Sequence, residues 1–241
     1  MRFYRNDGAG GLVADPVSLP AGPTVMLLAA DLDGDGDHDL VRVEGTGTAS
    51  TVLFNDGTGL FADSGQALAG ADTRVAALAD LDRDGDLDLV LGQAAAPDVV
   101  LTNDGAGVFS PAATPGAAVD LQALLLADLD GDGDPDLVRG AGSAPIAVLL
   151  NDGALGFTDT GQALGSGCQA LAAVDADEDG DLDLVEGLSG AADRLWLNDG
   201  SGTFVDSGLS LSPGSTFCFA VADLDCDGDA DLVVGDGAAG S

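Results

Sequence analysis

Asp31-Leu32-Asp33-Gly34-Asp35-Gly36-Asp37-His38-Asp39 sets an aspartate at every second position and a glycine at the sixth. Alternation throws five carboxylates onto one short loop, and the sixth-position glycine permits the sharp turn that lets their oxygens converge. Two carboxylates about 4 Å apart repel by roughly 4 kcal/mol at an effective dielectric near 20. Five of them on one loop therefore splay apart unless a divalent ion draws them together. The pattern returns at Asp80, Asp82, Asp84, Asp86 and Asp88; at Asp128, Asp130, Asp132, Asp134 and Asp136; at Asp175, Asp177, Asp179, Asp181 and Asp183; and at Asp223, Asp225, Asp227, Asp229 and Asp231. Successive loops start 49, 48, 47 and 48 residues apart. Together with Asp31, Asp33, Asp35, Asp37 and Asp39, these aspartates are the candidate metal ligands, and the candidate cofactor is Ca²⁺, about five ions at one per repeat.

A second marker keeps step with the first: Asn-Asp-Gly at Asn6, Asn55, Asn103, Asn151 and Asn198. Asn, Asp and Gly tolerate the positive φ of tight turns, so the marker reads as a hairpin turn. Between markers lie four short β-type segments per repeat, as in Val25 to Ala30, Asp39 to Val43, Thr51 to Phe54 and Leu60 to Ala62. Helical spacing is absent. Four strands in about 48 residues match the blade of a β-propeller, and a repeat that covers the chain predicts a single all-β domain over residues 1–241.

The ends bear on the number of blades. The chain opens with third and fourth strand segments (Arg2 to Arg5, Leu12 to Ala14) and finishes with first and second ones (Phe217 to Ala222, Asp231 to Gly235). From the last loop aspartate to the marker asparagine, intact repeats take 16, 15, 15 and 15 residues, and bringing Ser241 onto Met1 gives 16 again. The sequence thus predicts a propeller of about five four-stranded blades, closed by a terminal blade shared between its N- and C-terminal halves. A whole number of repeats cut from a longer propeller satisfies the same arithmetic. So does head-to-tail assembly, in which the half-blades of neighbouring molecules complete each other.

Forty-two acidic against seven basic residues give a net charge of −35, yet hydrophobic residues make up 46% of the chain, too many for a disordered acidic tail. Five divalent ions would bring −35 only to −25. The remainder repels nucleic acid and anionic membrane. The longest apolar run, Val25 to Ala30, is too short to span a bilayer, and the N-terminus lacks the apolar stretch of an export signal. Of the three cysteines, Cys168 and Cys218 precede acidic loops in neighbouring repeats. They read as buried free thiols, with a facing pair as the alternative.

In these repeats the acidic loop runs on into Asp-Leu-Val (Asp39-Leu40-Val41, Asp88-Leu89-Val90, Asp136-Leu137-Val138, Asp183-Leu184-Val185, Asp231-Leu232-Val233), and the turn reads Asn-Asp-Gly-x-Gly-x-Phe at Asn103 to Phe109 and Asn198 to Phe204. The chain thereby resembles the FG-GAP and VCBS-type calcium repeats, the class that builds the integrin-alpha propeller and several bacterial and fungal surface proteins. The resemblance implies an ion held by side chains at loop positions one, three, five and nine and by the main-chain carbonyl at seven. For the first loop these are Asp31, Asp33, Asp35 and Asp39 with the carbonyl of Asp37. The chain departs from that family in blade number, since its well-known rings have seven, and in carrying Asp at position seven of every loop.

Other metal chemistries fit the spacing poorly. An EF-hand loop takes an acid at position twelve, where this chain has Arg42, Leu91, Arg139, Glu186 and Val234. Mg²⁺ demands a rigid octahedron, and zinc calls for His or Cys, of which His38 and Cys226 are spacers in one loop each. One histidine and no nucleophile elbow or phosphate loop argue against an enzyme. The expected function is an extracellular or cell-surface adhesion scaffold, calcium-stabilised and non-catalytic, with a protein or glycan ligand on a propeller face. A multivalent lectin is the alternative, as is a subunit of a larger surface assembly or filament. Trp196 and Tyr4 stand where other repeats have Leu53, Leu101 and Leu149, which reads as blade core in preference to a sugar platform.

Overall fold

A computed structural model describes residues 3–14, 22–69 and 72–237. Met1, Arg2 and Ser241, invoked above for the terminal strands and their closure, lie outside them. The chain opens with a two-stranded hairpin, β1 (Tyr4–Asn6) and β2 (Leu12–Ala14). The first blade is β3 (Thr24–Ala30), β4 (Asp39–Glu44), β5 (Thr51–Asn55) and β6 (Phe61–Asp63), antiparallel and in chain order. The second is β7 (Thr73–Ala79), β8 (Asp88–Gln93), β9 (Val99–Asn103) and β10 (Phe109–Ala113). The third is β11 (Leu121–Ala127), β12 (Asp136–Ala141), β13 (Pro145–Leu150) and β14 (Thr158–Asp159), with β15 (Leu164–Ser166) also paired to β13. The fourth is β16 (Cys168–Val174), β17 (Asp183–Asn198), β18 (Phe204–Ala222) and β19 (Asp231–Gly237).

Sequence repetition becomes repetition of register. Leu40 pairs with Leu53, Leu89 with Leu101, and Leu137 with Leu149. Each strand that leads into an acidic loop is bulged at the same distance before that loop, between Thr24 and Met26, Thr73 and Val75, Leu121 and Ala123, Cys168 and Ala170, and Thr216 and Cys218. A bulge at one fixed place increases the strand twist by the same step in each repeat. Strands β8 and β12 are buried along their whole length because a neighbouring blade covers each face. The apolar clusters lie between blades: Val41, Val43 and Val52 of the first blade with Leu89, Leu91 and Leu101 of the second, and Val90 and Val100 with Leu137 and Leu149 at the next seam.

The expected five-bladed closed ring is not what forms. The structure is an open propeller of four blades. Among the described residues strand β1 pairs only with β2, and β19 only with β18, and no blade is shared between the two ends. The fifth repeat's first two strands are absorbed into the fourth sheet: β18 pairs with β17 from Phe204 to Ser215 and with β19 from Ser215 to Ala222. A physical reason lies in the linkers. After the first and third blades the linker carries Gln66 or Gln162, which grips the next marker turn: Gln66 accepts from Phe109 N and donates to Gly107 O, and Gln162 does the same for Phe204 N and Gly202 O. After the second blade the corresponding residue is Thr114 and a separate blade still follows; after the fourth it is Leu209, and there the linker's own backbone extends the ladder on β17, which is what sets this linker apart. The β1–β2 hairpin leans on the first blade, with Phe3 edge-on to Phe61 at 5.9 Å and Arg5 donating to the carbonyl of Thr58.

Candidate metal centres in the acidic loops

Each loop joins two adjacent strands of a sheet, and its ninth aspartate opens the second of them. In the first loop, Asp39 is fully buried; its Oδ2 accepts from Leu32 N at 3.0 Å and its Oδ1 from Asn55 N at 2.8 Å. The marker asparagine therefore ties the acidic loop to the third strand of the same blade. Asp88 with Leu81 and Asn103, Asp136 with Leu129 and Asn151, and Asp183 with Ala176 and Asn198 repeat this arrangement. Asp31 turns the loop from the other side, accepting from Gly34 N at 2.9 Å and Gly36 N at 3.0 Å. Gly36 has φ of 92°, the left-handed region anticipated for the sixth position.

Three of the five candidate ligands converge in every loop. Asp31, Asp33 and Asp39; Asp80, Asp82 and Asp88; Asp128, Asp130 and Asp136; Asp175, Asp177 and Asp183; and Asp223, Asp225 and Asp231 each bring one carboxylate oxygen within 4.8 Å of the other two. Fifth-position aspartates stand apart from these clusters. Asp35 accepts from Asp37 N at 2.9 Å, and Asp84, Asp132, Asp179 and Asp227 do likewise for Asp86, Asp134, Asp181 and Asp229. Seventh-position side chains turn to the marker: a Cβ on Gly57, Gly105, Gly153 or Gly200 would collide with Asp37, Asp86, Asp134 or Asp181. That close approach explains why a glycine ends each of these markers, and it gives the seventh aspartate a place in the turn.

The clusters fit a hard divalent cation. All their donors are carboxylate oxygens, and Asp80 Oδ1 and Asp175 Oδ1 are buried without a hydrogen-bond partner. In the first, third and fifth loops the equivalent oxygen accepts from the amide of Gly34, Gly131 or Cys226. Burial pushes the carboxyls of Asp39, Asp82 and Asp130 above their ordinary range and those of Asp88 and Asp136 up to about 6, with neighbouring aspartates adding to the rise. A cation held there would supply the missing counter-charge. The fifth cluster is exposed throughout, whereas the other four each include a fully buried aspartate.

Other residues behave as follows. His38 and Cys226 are exposed spacers. Trp196 packs against the apolar cluster between the third and fourth blades, and its Nε1 donates to the buried Glu186 at 3.1 Å, as its equivalence to the leucines implies. Tyr4 is instead exposed on the terminal hairpin. Cys168 is a buried free thiol, but Cys218 is free and exposed, since among the described residues none packs over the last strands to bury it. Sequence reasoning missed two classes of residue. One is the side chains of the marker asparagines, which cross the seams: Asn103 Nδ2 donates to Leu32 O, Asn151 Nδ2 to Leu81 O and Asn198 Nδ2 to Leu129 O, at 2.8, 2.9 and 2.8 Å. The other is Gln66 and Gln162, signalled only by a shared Gly-Gln-Ala-Leu.

The FG-GAP-like repeat family matches residues 31–91, 80–139, 128–186 and 187–234. No curated protein sequence matches the chain. Among solved structures, the chain is similar to BBS1N in a mercury-soaked crystal of its complex with ARL6DN, with TM-score 0.64 and 13% identity over 93% of this chain and 66% of that one. It is also similar to the Bacillus licheniformis rhamnogalacturonan lyase PL11, with TM-score 0.56 and 16% identity over 91% of this chain and 49% of the lyase. For the rhamnogalacturonan lyase YesW the values are 0.53 and 18%, over 89% and 47%. At these identities the likeness is one of fold, and the chain spans two thirds or less of each protein. Among the described residues no helix is long and apolar enough to cross a membrane.

Proposed function

The chain belongs to the FG-GAP-like repeat family, and from that membership we propose that it is an extracellular, calcium-stabilised interaction scaffold without catalytic activity of its own. The observation that carries this reading is the convergence of three carboxylate oxygens within 4.8 Å in all five loops. Ca²⁺ accepts six to eight oxygen ligands in flexible geometry, which suits a multidentate carboxylate loop better than the rigid octahedron of Mg²⁺. The first, third and ninth aspartates would hold the ion, joined by the fifth aspartate and the seventh carbonyl that the resemblance implies.

Bound there, the ion neutralises the loop and fixes the turn between two strands of a sheet. Binding free energy then becomes folding free energy. At a tenfold excess over Kd each site contributes about 1.4 kcal/mol. Extracellular calcium modules bind at about 10⁻⁴ to 10⁻³ M, which favours a location outside the cell. A protein partner on a propeller has a precedent of fold in BBS1N, crystallised with ARL6DN. Calorimetric titration of chelator-treated protein with Ca²⁺, followed by thermal melting, tests the proposal. About five ions per chain and a raised midpoint are expected, and a titration without heat together with an unchanged midpoint overturns it.

A further inference from the structure

We propose that this chain associates head to tail, the β1–β2 hairpin of one copy seating against β19 and the fourth blade of the next. The receiving site is a groove of about 240 Å³ between the fourth blade and the fifth repeat, lined by Val174, Ala176, Val185, Leu195, Ala230 and Leu232 among others. One repeat earlier, the corresponding residues are Ala127, Leu129, Val138, Val148, Leu182 and Leu184. There the space is filled: Phe204 is buried among them and Trp196 packs against the same cluster. Counted from the marker asparagine, the counterparts of Phe204 and Trp196 are Leu12 and Tyr4. Leu12 is 70% exposed and Tyr4 46%, against 6% for Phe204.

Polar groups at the two ends complement each other in the same register. At the seam between the third and fourth blades, Asn198 N donates to Asp183 Oδ1 and Asn198 Nδ2 to Leu129 O. The counterparts are Asn6 as donor and Asp231 and Ala176 as acceptors. Asp231 accepts from Leu224 N through Oδ2, and among the described residues no marker asparagine stands beside it. Asn55 repeats the pattern at the first blade: its Nδ2 donates to His38 O within its own blade, where the later markers also reach back across a seam. A second copy supplies Asn6, Tyr4 and Leu12 to the groove and continues the interface that the chain already builds three times internally. Strand β19 offers an open edge on which main-chain pairing can add β1. Because the two surfaces differ, the contact is heterologous and extends into a chain or a larger ring.

The test uses the chain of residues 1–241 in Ca²⁺. Light scattering over a hundredfold concentration range should show mass rising above that of one chain. The Tyr4→Asp/Leu12→Asp double variant, altered only at exposed positions, should return to single-chain mass with an unchanged melting midpoint. Register equivalence with Val90 and Val100 pairs Val233 with Phe3. Two differently tagged copies, one Phe3→Cys and the other Val233→Cys in a Cys218→Ser/Cys226→Ser background, should therefore crosslink to each other. Single-chain mass at every concentration, association untouched by the double variant, or crosslinking only when both cysteines are on one chain would each overturn the proposal.

Discussion

Asn151 Nδ2 donates to the carbonyl of Leu81 across the seam between the second and third blades, 2.9 Å away, while Asn151 N donates to Asp136 Oδ1 at 2.8 Å within its own blade. One side chain thus couples an acidic loop to the loop of the preceding repeat. Asn151→Ala leaves the Leu81 carbonyl buried without its donor, a loss of about 1–3 kcal/mol. The midpoint of chemical denaturation should fall accordingly, with little change in slope.

Arg139 and Asp98 form a second cross-connection. Both are buried; Arg139 Nε lies 2.5 Å from Asp98 Oδ2, and Nη2 donates to Ala117 O. Burial raises the Asp98 carboxyl, while hydrogen bonding and charge from Arg139 oppose that rise. Removing one partner strands the other charge in the interior, so Asp98→Ala should cost about 3–5 kcal/mol. Arg74 and Asp120 make an exposed pair at 2.7 Å, and Asp120→Ala should change stability by less than about 1 kcal/mol. Equal losses for the two variants would contradict this assignment.

If the clusters hold a cation as proposed, proton and cation compete at the ninth aspartates. Asp88 and Asp136 titrate near 4 in an unfolded chain and at about 6 in the metal-free fold. Between those values the folded protein binds more protons than the unfolded one, so metal-free stability falls as pH rises through that window. In chelator the melting midpoint should be higher at pH 5 than at pH 7.5. Saturating Ca²⁺ should reverse the order, since ion binding needs the ionised carboxylates. Identical midpoints at both pH values in chelator would refute it.

At the fourth loop position, Gly34 and Gly131 have positive φ, and Arg83, Glu178 and Cys226 adopt the same conformation at 63°, 61° and 64°. Left-handed backbone costs a non-glycine residue about 1–2 kcal/mol. Glu178→Gly and Cys226→Gly should each raise stability, by about 1 kcal/mol after the added flexibility of the unfolded chain is counted. Arg83→Gly should not gain, because it also removes the bonds of Arg83 to Asp132 and Asp134 in the neighbouring loop.

Local structure was legible because the repeat states it five times. Alternating aspartates located the loops, Asn-Asp-Gly located the hairpins, and strand segments such as Thr51 to Phe54 fell within one residue of β5. Ring closure was not legible. The residue count from Asp231 to Asn6 is satisfied whether or not the half-blades meet, and the position that carries Gln66 or Gln162 in two linkers carries Thr114 in the second and Leu209 in the fourth, so no residue type there marks where separate blades stop. Within the site, spacing alone named all five aspartates of each loop as candidate ligands, of which the first, third and ninth bring their oxygens together. Spacing did not show that the fifth carboxylate also accepts from a local amide and that the seventh lies against the marker glycine, because alternation treats all five positions alike.

The uncovered last strands give the protein a built-in gradient of opening. In a stack where each repeat is held mainly by its neighbours, local unfolding begins at whichever end has one neighbour fewer. Cys218 and Cys226 lie in that terminal repeat and are exposed, whereas Cys168 lies fully buried, its thiol pushed up to about 12 by burial. The three natural thiols are thus markers along the chain: an alkylating reagent should take two at once, and the third only when fraying has advanced into the interior.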